Sequence, residues 1–174
     1  MLNKLRANLL SIKFRAIRRF VIILLAKIPK DLERAIIFGD ALNHFLMLTP
    51  FKYFFKFKIP HNIKTNLYDL TFASPVISAS FKDDVSSLFQ WQLVGIGGIT
   101  YKTVLKMPSK GNLRPRIQEV SHNGDYAILN SLGLPTKGVS NFIPLIDNKK
   151  LTKFNRPIGI SIGGNSFNEY LSVF

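Results

Sequence analysis

The sequence predicts an α/β protein with a parallel sheet, preceded by a basic helical segment. From His61 onward, short β-branched runs alternate with helix-like stretches, the pattern of a parallel α/β core. Before His61, apolar residues recur at helical spacing among lysines and arginines, the pattern of a surface-seeking helix. The chain has 174 residues, 47% of them hydrophobic and 12% aromatic. That supports a core and excludes a disordered-type composition. No cysteine is present, which excludes disulfides, thiolate metal sites and cysteine nucleophiles.

The first 60 residues hold twelve Lys/Arg against three Asp/Glu, in a chain of net charge +14. Such an excess points to an anionic partner. Ile17, Phe20, Val21, Leu24 and Leu25 recur at helical spacing, with Lys13, Arg15, Arg18 and Arg19 crowding their N-terminal side. The apolar run Phe20–Ala26 is far short of the roughly 20 residues that a spanning helix needs. Lys27 interrupts it and no small-residue cleavage site follows, which argues against a signal peptide. Pro29 should break this helix. Asp31 should cap a second one that packs through Leu32, Ile36 and Leu42 and ends at Pro50.

Phe51–Lys58 then alternates Phe51, Tyr53, Phe54, Phe55 and Phe57 with Lys52, Lys56 and Lys58. Rings at headgroup depth and lysines on anionic lipid suit a membrane surface. A packing hairpin with a solvated basic face is the plain alternative. Nucleic acid fits poorly, because the apolar content is high and no named nucleic-acid module occurs.

Further along, the expectations are specific. Residues 66–80 read as paired strands around Ala73-Ser74-Pro75, and residues 83–92 as a helix opening on Asp83 and Asp84. Leu93–Leu105 reads as an apolar strand, 107–124 as a long polar loop, and 125–148 as loop and helix. Residues 157–163 read as another apolar strand, and Asn165–Phe174 as the start of a helix.

Several chemistries are absent. His44, His61 and His122 lack ligand spacing, and Gly138-Val-Ser140 is no nucleophile elbow. Gly95-Ile-Gly97-Gly98 is no dinucleotide fingerprint, since Thr100 stands where the third glycine belongs. What remains lies where strands end, the ligand-bearing side of parallel α/β barrels. Ala79-Ser80, Lys102-Thr103 and Asn130–Pro135 are the candidates. A lysine directly after an apolar strand can set a cation against an anionic or electron-rich ligand, or can simply emerge into solvent. Asn130 offers donors and an acceptor in one plane, which suits a planar amide-bearing ligand or an ordinary turn. Arg114-Pro115-Arg116 is stiff and basic, suited to an anion or to bracing carboxylates.

Taken together, three runs resemble the dihydroorotate dehydrogenases in order and spacing. They are Thr100-Tyr-Lys102-Thr103-Val104, Gly111-Asn112-Leu-Arg114-Pro115-Arg116 and Ile128-Leu-Asn130-Ser131-Leu-Gly133-Leu-Pro135. Ser74–Ser80 is similar to the family's first barrel strand and Pro157–Gly163 to a later one, so the resemblance spans residues 66–165. It implies the N-terminal portion of a β/α (TIM) barrel (residues 61–174) preceded by a helical hairpin (residues 1–60). It also implies FMN as cofactor and oxidation of dihydroorotate to orotate in pyrimidine (UMP) biosynthesis. By the same resemblance Ala79, Ser80, Lys102, Thr103 and Ser161 contact FMN. The Lys102 charge would stabilise the reduced, anionic flavin. Lys102, Asn130, Ser131, Leu132, Gly133 and Leu134 would take the substrate.

Lys102-Thr103 and the Asn130–Pro135 loop resemble the soluble class; the basic aromatic N-terminus and Arg114-Pro115-Arg116 resemble the quinone-reducing, membrane-bound class. Quinone is therefore the expected electron acceptor, and the cytoplasmic side of a membrane the expected location, with the protein peripheral on an anionic surface. The sequence departs from the family at Phe81, usually glycine, and at Ser161 and Thr136, often asparagine. The catalytic base of the family, a serine or cysteine, is expected beyond Phe174. A chain ending here is accordingly expected to be incomplete and inactive on its own. The alternative is a non-catalytic membrane-surface module or relic.

Overall fold

The computed structural model describes residues 2–25, 31–123, 125–151 and 153–174. The expected break at Pro29 lies outside them. By contact density the chain divides into two compact units. One comprises residues 1–42 and 111–133, the other residues 43–110 and 134–174.

Helix α1 runs Leu2–Leu25 and α2 runs Glu33–Leu48. As expected, Asp31 caps α2: its Oδ1 accepts the Glu33 N–H at 3.0 Å. Pro50 begins a 3-10 turn, Pro50–Phe55. Among the described residues, no helix is long and apolar enough to cross a membrane. In the first unit, β4 (Ile117–His122) and β5 (Asp125–Asn130) form an antiparallel ladder in register from Ile117–Asn130 to His122–Asp125. These residues were expected as loop. The Asn123-Gly124 dipeptide is the hairpin signal that locates the turn, and Asn123 takes the required positive φ of 49°.

The second unit begins its sheet structure with β1 (Thr65–Leu67) and β2 (Leu70–Phe72), an antiparallel hairpin. It turns at Tyr68-Asp69, not at Ala73-Ser74-Pro75 as expected. Tyr68 has φ 50°, a conformation that tyrosine rarely signals. After the hairpin the chain runs extended beside β3 (Ile99–Val104), with Ile77 bridged in parallel to Gly98. Gly97 N–H donates to the Val76 carbonyl at 2.8 Å and Ser78 N–H to the Gly98 carbonyl at 3.0 Å.

Helix α3 is Val85–Val94, capped by Asp84, whose side chain accepts the Ser87 N–H at 2.7 Å. Gly95 ends it in the left-handed region at φ 105°. That is why β3 starts only at Ile99, although the apolar run begins at Leu93. β3 pairs in parallel with β6 (Ile158–Ile162), Ile99 against Ile158 and Tyr101 against Ile160. The register shifts between Tyr101 and Val104. Helix α4 is Val139–Asp147 and α5 is Phe167–Leu171.

The segment at Ile77, β3 and β6 thus lie side by side, all parallel, with helices between them in sequence. The core gathers around them: Leu88, Ile99, Tyr101, Val104, Phe142, Leu151 and Phe154. Tyr101 and Phe142 stack with ring centroids 4.9 Å apart and a 53° tilt.

Candidate functional site

Parallel strands present their C-terminal ends on one side, and ligands bind there because backbone and side-chain groups are left to be satisfied. In the second unit three such ends are adjacent. The first is Ala79-Ser80, which follows the Ile77 bridge. Lys102 N–H donates to the Lys82 carbonyl at 3.0 Å, so the chain stays beside β3 past Ser80. The second is Lys102-Thr103 and the third Ser161–Gly163. Thr103 Oγ1 and Ser161 Oγ are hydrogen-bonded at 2.9 Å, and Gly163 N–H donates to the Val104 carbonyl at 3.0 Å. Ser80, Lys102, Thr103 and Ser161 are half-buried, whereas Ala79 is exposed.

Among the described residues, Lys102 has no carboxylate within ion-pair distance. A half-buried cation without a direct ion-pair partner suits an anionic ligand. Phe81, one of the three departures from the family pattern, is 50% exposed, and the Lys82 ammonium lies 5.7 Å from its ring centroid.

A cavity of about 120 Å³ opens between the end of β3 and the start of α4. Asp83, Tyr101, Lys102, Thr103, Thr136, Lys137, Asn141 and Phe142 are among its lining residues. Burial pushes the Tyr101 phenol up to about 12, with the Asp83 and Asp84 charges adding to the effect. The phenol therefore stays neutral through the physiological range. Asp83, Lys137 and Asn141 were not anticipated from the sequence. Asp83 read as a helix start, and no spacing rule joins residues 83, 102 and 137.

Of the other candidates, Asn130 to Gly133 belong to the first unit and Leu134 to the second. Asn130 is the last residue of β5 and pairs with Ile117, so it closes an antiparallel strand and not a parallel one. Asn130, Ser131 and Gly133 are exposed, Leu132 is half-buried, and Leu134, the next residue, is exposed. Gly133 has φ 68° and Leu134 φ 51°. Arg114 and Arg116 pair with Asp31 and Glu33, bracing carboxylates as one of the two expected uses.

The cofactor fit rests on the donor set of the second unit. One lysine and two hydroxyl-bearing residues stand at adjacent strand ends, and they fit an acceptor-rich ring that turns anionic on reduction, as that of FMN does. Among the described residues, no group of three or more His, Cys, Asp or Glu side chains could hold a metal ion.

Comparison with known proteins identifies the family. The family model for dihydroorotate dehydrogenase matches residues 62–174. The chain is 35% identical over 118 residues to the catalytic subunit of dihydroorotate dehydrogenase B (NAD(+)) of Endomicrobium trichonymphae, covering 64% of this chain and 36% of that one. It is 31% identical over 118 residues to the dihydroorotate dehydrogenase (quinone) of Vibrio cholerae, covering 67% and 33%. The chain therefore spans about a third of the length of these curated relatives. Among solved structures, ligand-free DHODH from Eimeria tenella superposes with a TM-score of 0.55 at 22% identity, over 75% of this chain and 39% of that one. That likeness speaks to the fold alone. The family match extends across all three strand ends and the Asn130 loop, and on it the chain belongs to the dihydroorotate dehydrogenase family.

Proposed function

We propose that this chain serves FMN-dependent oxidation of dihydroorotate to orotate in pyrimidine biosynthesis, with quinone as the electron acceptor. The observation that carries the reading is the half-buried residue Lys102, without an ion-pair partner among the described residues, next in sequence to Thr103, whose hydroxyl is bonded to that of Ser161. Ala79, Ser80, Lys102, Thr103 and Ser161 would hold FMN. Lys102 is a proposed substrate contact, and so, each on its own account, are Asn130, Ser131, Leu132, Gly133 and Leu134. FMN, when bound, supplies the acceptor for the two electrons removed from the substrate.

The rest is work for this chain's residues. Lys102 offsets negative charge that accumulates near it, and a cation in a half-buried site does so more strongly than one in water. The Thr103 and Ser161 hydroxyls share one hydrogen bond, which leaves the second hydroxyl proton available to a ligand acceptor. The Asn130 amide offers a paired donor and acceptor to a planar edge.

Quinone reduction implies a lipid surface. Ile12, Phe20, Ile23, Ile37, Phe45 and Phe51 are large, apolar and exposed, and Lys52 and Lys56 follow them in sequence. That combination supports peripheral docking on an anionic membrane, on its cytoplasmic side. An NAD-dependent relative stands beside the quinone-dependent one, so the acceptor needs its own test.

The direct test is FMN fluorescence quenching by the purified chain. Saturable quenching is expected, weakened about tenfold by Lys102→Ala, the loss of one charge-assisted contact. Equal quenching by the two proteins, or none by either, would remove the cofactor assignment. Flotation with anionic and neutral vesicles tests the membrane arm. Binding that requires anionic lipid and weakens with salt is expected, and binding indifferent to both would count against it.

A further inference from the structure

Glu33 opens α2 and is buried. A buried carboxylate is costly unless its charge is paired, and two arginines pair this one. Arg116 Nε donates to Glu33 Oε1, while Arg114 Nε lies 2.8 Å from Glu33 Oε2. Arg114 also reaches Asp31, with Nη2 2.6 Å from Oδ2.

Arg116 has a second acceptor. Its Nη1 donates to the Asn112 carbonyl at 3.0 Å. Asn112 is in turn bound to the 130–133 loop. Its backbone N–H donates to the Leu132 carbonyl at 3.0 Å, and its Nδ2 to the Ser131 carbonyl at 2.8 Å. The Ser131 N–H returns to the Arg116 carbonyl at 2.8 Å. Two glycines let these backbones touch. A Cβ on Gly111 would meet the Leu132 oxygen at 2.1 Å, and one on Gly133 would meet the Asn112 nitrogen at 2.7 Å. The loop is otherwise largely solvent-exposed, so Asn112 and Arg116 supply much of what fixes its shape.

We infer that Glu33 and Arg116 are positioning residues: the first turn of α2 holds the loop Asn130–Gly133 in shape through Arg116 and Asn112. That this loop takes substrate rests on the function proposed above; the mechanical tie does not. A movement at the start of α2 is thereby transmitted to the loop without any change in the loop's own sequence. The guanidinium is suited to this. Its planar fork serves Glu33 and the Asn112 carbonyl together, whereas a lysine is a single mobile point charge.

Amide hydrogen exchange on the whole chain tests the tie, with orotate titration beside it. Glu33→Gln and Arg116→Lys should each speed exchange at Asn112 and Ser131 about tenfold, as expected for loss of one holding bond. Amides of the β4–β5 ladder should keep their protection. Orotate affinity should fall in the same variants. Unchanged exchange at Asn112 and Ser131 overturns the inference, as does Arg116→Lys behaving like the wild type. Faster exchange with unaltered orotate affinity upholds the tie and overturns the loop's part in holding substrate. A wild-type chain that takes no orotate would sink the substrate reading, and faster exchange would still uphold the tie. If Glu33→Gln also exposes the ladder, Asn112→Ala replaces it, since it leaves the ion pairs in place. That variant should still speed exchange at Ser131, and no change there overturns the inference.

Discussion

Thr103 on β3 and Ser161 on β6 share a hydrogen bond of 2.9 Å across the parallel pair. They lie within the stretch where the β3–β6 register shifts, between Tyr101 and Val104, at the end of the sheet where the candidate cofactor residues collect. Replacing both partners should cost little more than replacing one. Thr103→Val and Ser161→Ala should each destabilise by about 1 kcal/mol, with a coupling of similar size in the double variant. Urea denaturation of the four proteins of that cycle measures it, and additive effects would mean that the bond contributes nothing.

Tyr101 provides a pH dependence with a definite sign. Its phenol has a folded-state pKa of about 12 against 10 when exposed. Below pH 10 both states hold the proton and the shift has no effect on stability. Between pH 10 and 12 the unfolded chain loses the proton first, so stability falls as pH rises. Two units correspond to at most about 3 kcal/mol. Chemical denaturation from pH 9 to 12 should show a shallower decline in Tyr101→Phe than in the wild type, and parallel curves would exclude this contribution.

Phe142 brings α4 onto the sheet through the Tyr101 ring. Phe142→Ala should cost about 3–5 kcal/mol, from lost burial and the cavity left behind. A drop of that size is a large part of a domain's net stability, and thermal unfolding followed by circular dichroism would register it. Phe142→Leu, which keeps most of the volume, should cost much less.

Gly97 is a place where two backbones touch. A Cβ there would lie 1.9 Å from the Ser74 carbonyl oxygen and 2.6 Å from its nitrogen. Backbone cannot swing aside as a side chain can, so Gly97→Ala should destabilise by about 3 kcal/mol. Gly159→Ala serves as the control, since the nearest atom to its added Cβ is 3.8 Å away. Equal melting temperatures for the two variants would refute the close approach.

Much of the second unit was legible because its signals are local. Asp84 precedes an apolar helical run and caps it, and Pro157–Gly163 is a β-branched run that forms β6. The β4–β5 hairpin was hidden because its residues, Gln118, Glu119, Ser121 and His122 among them, are too polar to show a buried alternating face. Only Asn123-Gly124 marked it. The Tyr68 turn was hidden for another reason, since nothing in the side chain announces a left-handed backbone. Strand-end candidates could be named from sequence. The cavity partners Asp83 and Lys137 could not, because they line one cavity with Lys102 only once α3 and α4 have packed.

The pairing of β6 has a consequence of a different kind. Among the described residues it is bonded to β3 alone, and its uncharged stretch Ile158–Ile162 leaves Ile160 well exposed. Its far side is a row of amide hydrogens and carbonyl oxygens with the geometry of a template. Whichever strand first lies along it, whether from this polypeptide or from a neighbouring copy, will be gripped by the same ladder, so correct assembly competes with aggregation at this one edge.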